Sequence, residues 1–183
     1  MADNKSAEAA KAERHKARQQ RIKEGVDAKI ARAQEEKGIL LVLTGNGKGK
    51  STSGFGTVAR AVGHGKKAAV VQFIKGNWDC GERTLLEGAG VEFHVMGTGF
   101  TWETQDREKD TAAAVKAWEA TEKLLQDESI DLVMLDELTY MVSYHYLEVE
   151  RVIEALKNRP PMQHAIATGR ACHRAIVEPA DTV

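Results

Sequence analysis

The stretch Thr44-Gly45-Asn46-Gly47-Lys48-Gly49-Lys50-Ser51-Thr52 follows directly on the apolar run 38–43, GILLVL. An apolar strand, a turn carrying three glycines and a Lys-Ser-Thr that opens a helix are the context of a phosphate-binding loop. There is one departure: counted back from Gly49-Lys50-Ser51, Thr44 stands where the G-x-x-x-x-G-K-[ST] pattern has its first glycine. Gly45, Gly47 and Gly49 permit backbone angles that aim successive amides inward, and the helix that follows adds free N–H groups and its dipole. Lys50 is expected on phosphate oxygens, and Ser51 offers a hydroxyl to Mg²⁺. Lys48 either touches phosphate or projects to solvent.

Outward from this loop, short apolar runs at 39–43, 68–73, 91–95, 130–135 and 163–167 alternate with longer amphipathic stretches at about 50–63, 83–87, 107–126, 147–157 and 169–177. Runs rich in Val, Ile and Leu that alternate with helices imply an α/β fold, a mainly parallel sheet with helices on both faces. Right-handed crossovers bring the carboxyl ends of the strands, and the loops beyond them, to one edge. The run IDLVMLDE, 130–137, ends in Asp136 and Glu137, as expected of the strand that carries acids to the Mg²⁺ of a phosphate-loop protein. The loop and the acids together predict an ATP or GTP site with Mg²⁺. No N-K-x-D-type guanine reader occurs, which favours ATP.

Residues 1–37 differ in composition, being rich in Ala, Lys, Arg, Glu and Gln and without aromatics. Ile22, Val26, Ile30 and Ala33 form one narrow apolar stripe at helical spacing. The arm reads either as a solvated tail or as a helix that docks conditionally. Residues 38–183 read as one nucleotide-binding domain, and the chain stops at A-D-T-V where a further strand would begin, so the sheet is expected to be incomplete.

Net charge is −1, from 26 basic and 27 acidic residues, so no global field draws the chain to nucleic acid or an anionic membrane. No apolar run approaches the roughly 18 residues of a membrane span, and the start lacks an apolar signal region; a cytoplasmic protein is expected. Cys80 and Cys172 lie far apart without a C-x-x-C, which suggests neither a disulfide framework nor a zinc module.

Several motifs in order carry a resemblance: TGNGKGKST, ARAVGHG, VVQFIKG, GVEF, GFTWET, LDELTY and TGRACHR. Over about 38–183 the chain closely resembles the ATP:corrinoid adenosyltransferases of the bacterial cobalamin pathway. The resemblance implies a RecA-like phosphate-loop fold, usually a homodimer. It also implies transfer of the 5′-deoxyadenosyl group of ATP to Co(I) of cobalamin, cobinamide or cobyrinic acid a,c-diamide, with release of tripolyphosphate. A reducing flavoprotein as electron donor is part of the same expectation. In this family the nucleotide lies in reversed polarity, which places C5′ at the reaction point.

By motif, 46–52 (Asn46, Gly47, Lys48, Gly49, Lys50, Ser51 and Thr52) would hold the triphosphate. Glu137 would serve Mg²⁺ beside Ser51, with Asp136 close by. Arg60 is similar to a family residue near the nucleoside, His64 to a polar helix-end residue, and Arg170 is expected to contact phosphate or corrinoid. Phe100 and Trp102 would fill the lower face of the corrinoid and exclude its axial ligand, easing reduction of Co(II) to Co(I). The resemblance also makes 1–37 a candidate lid over the corrinoid. Two other classes stay open on the residues: a phosphate-loop kinase or ATPase that cuts the β–γ bond, and a RecA-like nucleotide-gated binding module.

Overall fold

The computed structural model describes residues 2–74, 80–97 and 106–183, the side chains of 2–7 and 9 excepted. The chain divides into two compact units, Met1–Glu36 and Lys37–Val183. The first is one helix, α1 (Ala2–Arg32), built from strong helix formers with Lys29 and Arg32 in its last turn, where cations complement the helix dipole. Ile22, Val26 and Ile30 are 50, 48 and 65% exposed, so the apolar stripe is solvent-facing in this chain.

The second unit is built on five strands: β1 (Leu40–Thr44), β2 (Ala68–Gln72), β3 (Glu92–Val95), β4 (Leu132–Asp136) and β5 (His164–Gly169). They form one sheet in the order β1-β5-β4-β2-β3, and every pairing is parallel. Between them lie α2 (Lys50–Gly63), α3 (Gly81–Gly88), α4 (Arg107–Gln126), α5 (Leu138–Ser143), α6 (Val149–Lys157) and α7 (Arg174–Val177). The strands are apolar on both faces because helices cover both. Leu132, Met134, Val70 and Ile166 pack with Phe55 and Val58 of α2 and Leu86 of α3. The alternate residues Val42, Val71, Val133, Leu135 and Ala167 pack with Trp118 and Leu125 of α4 and Val152 and Leu156 of α6. The two-residue period of a strand thus divides one chain of hydrophobics between two cores.

The helix termini follow local chemistry. Asp106 caps α4, its carboxylate accepting the Lys109 N–H at 3.2 Å, and Glu108 and Asp110 lie in the first turn. Trp118, fully buried on α4, donates its indole N–H to Glu122 at 2.9 Å, and Glu122 pairs bidentately with Arg151 of α6 at 2.7 Å for both contacts. The Arg151 guanidinium, first by its hydrogen bonds, holds the Glu122 carboxyl below the ordinary carboxylate range.

Three differences from the sequence reading have physical reasons. The helix expected over 169–177 is shortened to Arg174–Val177, because Gly169 still pairs with Thr44 and positive φ angles at Gly169 (141°) and Ala171 (47°) hold a turn instead. The short α5 has no periodic signal, since Leu138, Thr139, Met141 and Val142 are all buried. At the far edge of β1 the closing residues form an isolated bridge: Val42 N–H donates to the Thr182 carbonyl at 2.9 Å, and Leu41 bridges Thr182 in parallel.

Candidate functional site

The loop 45–49 leaves β1 at the carboxyl edge and enters α2 through Gly49, at φ 98° in the left-handed region. Asn46, Gly47 and Lys48 are exposed, and Lys50 and Ser51 are half-buried at the first turn of α2. The Lys50 ammonium folds back over the loop and donates to the Gly47 carbonyl at 2.5 Å. Free N–H groups at the helix start, the dipole and this cation converge on one small volume, which suits polyphosphate.

Asp136 and Glu137 arrive at the same edge from β4, with β5 between their strand and that of the loop. Asp136 is fully buried, and its two oxygens accept from Thr168 Oγ1 at 2.9 Å and Gln72 Nε2 at 3.3 Å. Glu137 is held at φ 62°, a conformation uncommon for a residue with a side chain, and its N–H donates to Thr168 Oγ1 at 3.0 Å. A Cβ on Gly169 would lie 3.2 Å from Glu137 Oε2 and 2.0 Å from Thr139 Oγ1, so only glycine admits this approach. Thr139 in turn donates to the Arg170 carbonyl at 2.6 Å. After Ala171 the backbone returns to the loop strand, Cys172 N–H meeting Thr44 Oγ1 at 3.4 Å, so exposed Arg170 stands beside the phosphate loop.

Among the described residues, no cluster of three or more His, Cys, Asp or Glu forms an all-protein metal cage. The groups present nonetheless fit Mg²⁺. Ser51 would supply a hydroxyl and Glu137 a carboxylate, with Asp136 close by, hard oxygens of the kind that Mg²⁺ completes with water and substrate phosphates. Burial pushes the Cys172 thiol up to about 11, which keeps it protonated and a poor nucleophile. Tyr140 is also raised, first by burial and then by the Glu137 charge, with Arg170 opposing.

Arg60 is not brought to this edge. It lies in the last turn of α2, ten residues and so roughly 15 Å along the helix from Lys50. There it lines a cavity of about 320 Å³ with His64, Lys66 and His164, at the amino ends of the strands. Phe100 and Trp102 lie outside the described residues. Thr168, Gln72, Thr139 and Tyr140 fall within the motifs TGRACHR, VVQFIKG and LDELTY, which assign them no role. A polar residue at or next to the end of an apolar run, as Gln72 in AAVVQ and Thr168 in HAIATG, is the signal that finds the first two.

A strand interposed between the loop strand and the acid strand is the arrangement of RecA-like phosphate-loop proteins, and the chain is of that class. Comparison with known proteins narrows the class. The family model described as ATP:corrinoid adenosyltransferase BtuR/CobO/CobP matches residues 36–183, and one described as Cob(I)alamin adenosyltransferase N terminal matches residues 1–30. The chain is 63% identical over 171 residues to a corrinoid adenosyltransferase of Escherichia coli K12, covering 93% of this chain and 87% of the relative. It is 62% identical, with the same coverage, to corrinoid adenosyltransferase CobA of Salmonella typhimurium. A corrinoid adenosyltransferase of Pseudomonas aeruginosa is 51% identical, covering 94% of this chain and 86% of the relative. The chain belongs to the ATP:corrinoid adenosyltransferase family.

Proposed function

We propose that this protein transfers the 5′-deoxyadenosyl group of ATP to the Co(I) of a corrinoid, within adenosylcobalamin synthesis and salvage. The observation that carries the reading is the convergence of the Lys50 loop, Arg170 and the Asp136–Glu137 pair on one edge of the sheet, in a chain of this family. The Co(I) electron pair attacks C5′, the C5′–O bond breaks with its electrons leaving on oxygen, and cobalt becomes alkylated Co(III). Tripolyphosphate departs. The nucleophile therefore comes with the substrate, and the chain's task is to align C5′ and receive the charge that develops on the leaving group.

Lys50 and the loop amides are placed to take up that charge, with Arg170 as a second cation. Ser51 and Glu137, with Asp136 close by, would hold Mg²⁺, which when bound neutralises triphosphate charge. Phe100 and Trp102 are proposed at the lower face of the corrinoid. Cobalamin, cobinamide and cobyrinic acid a,c-diamide are the candidate acceptors, a reducing flavoprotein is the electron donor, and the working form is a cytoplasmic homodimer without a nucleic-acid partner. No helix among the described residues is long and apolar enough to cross a membrane.

The test is incubation with ATP, Mg²⁺ and chemically reduced cobalamin, followed by absorbance. Adenosylcobalamin with tripolyphosphate is the expected outcome, whereas ADP and phosphate would mark a kinase or ATPase. The exposed Ile22, Val26 and Ile30 stripe supports a lid role for α1. Removal of residues 1–37 is then expected to weaken corrinoid binding by about tenfold and ATP binding by less than about twofold, measured by calorimetry. Equal losses would sink the lid.

A further inference from the structure

On the face of the sheet covered by α2, the strands stay apolar until their last positions. Met134, Ile166 and Val70 belong to the core beneath α2. Two residues further along each strand the same face turns polar, with Asp136 on β4, Thr168 on β5 and Gln72 on β2. The strand pairings align these positions in one row, Leu43 opposite Thr168 and Gln72 opposite both Asp136 and Val95. All three polar side chains are buried, Thr168 and Asp136 completely. A carboxylate taken out of water in this way is tolerated only where donors replace its hydration. Here Thr168 donates to one oxygen and Gln72 to the other.

The row connects the parts of the site. A Cβ on Gly54, one turn into α2, would stand 3.4 Å from the Thr168 methyl, so Thr168 lies directly under the phosphate-loop helix. Its hydroxyl donates to Asp136 while accepting the N–H of Glu137, which sets both acids at once. Gln72 holds the far oxygen of Asp136, and its carbonyl accepts the Met96 N–H at 2.9 Å where the chain leaves β3.

We propose that Thr168, seconded by Gln72, is a positioning residue for adenosyl transfer. Through its one hydroxyl it orients the Asp136–Glu137 pair against the phosphate loop, and through Gln72 it ties that geometry to the exits of β2 and β3. Asp136 is then the anchored partner of the pair, and Glu137 the group presented to the nucleotide. This inference rests on the proposed adenosyl transfer and deepens it.

Its test compares Thr168→Val, which keeps the volume and removes the hydroxyl, with Thr168→Ser, which keeps the hydroxyl. For Thr168→Val, kcat for cobalamin adenosylation is expected to fall by about 10- to 100-fold with the corrinoid KM within about threefold, as for loss of a group that orients a ligand. Thr168→Ser is expected to recover to within about threefold of wild type. Calorimetry with MgATP reads the same geometry without turnover: affinity falls in the Val variant and returns in the Ser variant. Gln72→Met is the second variant, should Thr168→Val fold poorly, with a kcat loss of about tenfold at near-native melting temperature expected.

Wild-type kcat and MgATP affinity in Thr168→Val, or equal losses in the Val and Ser variants, would overturn the proposal. So would a Thr168→Val defect that vanishes once rates are expressed per folded molecule. Absence of adenosyl transfer by the wild type would fail the functional reading instead, and the calorimetric comparison would still decide the positioning role.

Discussion

The two edges of the sheet treat their polar groups in opposite ways. At the amino edge many of them hold backbone segments together, although Gln163 Oε1 is buried without a partner among the described residues. Gln163, buried, donates through Nε2 to the carbonyls of Leu124, Asp127 and Ile130 at 3.0, 3.1 and 3.1 Å, and Arg159 reaches the carbonyls of Leu156, Gln163 and Gly38. Asp131 accepts from Lys66 Nζ at 2.9 Å and Lys67 N–H at 2.8 Å, and His164 Nδ1 accepts the Ile39 N–H at 3.1 Å. At the carboxyl edge, by contrast, residues with side chains, Glu137 and Ala171, hold positive φ angles beside Gly45, Gly49 and Gly169, whereas in the turns entering β2 and β3 positive φ falls on glycines, Gly65 and Gly90; the loop and Arg170 remain exposed. Glycine takes positive φ without steric cost, so the strained backbone here is that of Glu137 and Ala171, on the edge that carries the phosphate loop.

The largest test of this contrast is Lys50→Met. Adenosyl transfer is expected to fall by about 100-fold or more, roughly 3 kcal/mol of transition-state stabilisation, with an unchanged melting temperature. Near-wild-type turnover would mean that the charged edge is not the reacting one.

A matched pair of glycine variants sharpens the comparison. Gly169→Ala would drive a Cβ to 2.0 Å from Thr139 Oγ1, and Gly38→Ala would drive one to 2.0 Å from the Gln163 carbonyl oxygen. Each is expected to cost about 2–3 kcal/mol of stability by denaturant unfolding. Only Gly169→Ala is expected to lower the rate per folded molecule as well. Equal rates in the two variants would erase the functional distinction between the edges.

The smallest effect concerns pH. Lys37, first by its hydrogen bond, and then the Leu40 N–H hold the Asp181 carboxyl below its ordinary value. A carboxylate with a depressed folded pKa stabilises the protein above its unfolded value, near 3.9, and that stabilisation is lost as pH falls through the folded one. Asp181→Asn is therefore expected to flatten the stability profile in the acid limb below about pH 4. It leaves the pH dependence of adenosyl transfer unchanged. A shifted rate profile would couple the two edges.

Much of this was readable beforehand because strand and helix periods are local properties. The runs at 39–43, 68–73, 91–95, 130–135 and 163–167 each overlap a strand, as short Val-, Ile- and Leu-rich runs alternating with helices do in a sheet covered on both faces. Local reading failed where a neighbour distant in sequence decides the outcome. Gly169 remains in β5, rather than starting a helix, because Thr44 pairs with it. Motif order likewise does not express distance: Arg60 stands at the far end of α2 from Lys50. For residues 1–37 a charged segment with one narrow stripe left tail and helix open, and the structure has a helix over Ala2–Arg32.

By itself, the sequence determined an α/β chain with a phosphate loop at 44–52, an acid pair at 136–137 and membership of a family recognisable by ordered motifs. Those features depend on residue types at short spacing. The tertiary structure alone decided that Thr168 and Gln72 meet Asp136, across 32 and 64 residues of chain, and that Arg60 does not meet Lys50. The reason is strand order: placing β5 between β1 and β4, and β2 beside β4, sets which side chains share a row, and nothing local to any one strand encodes its neighbours.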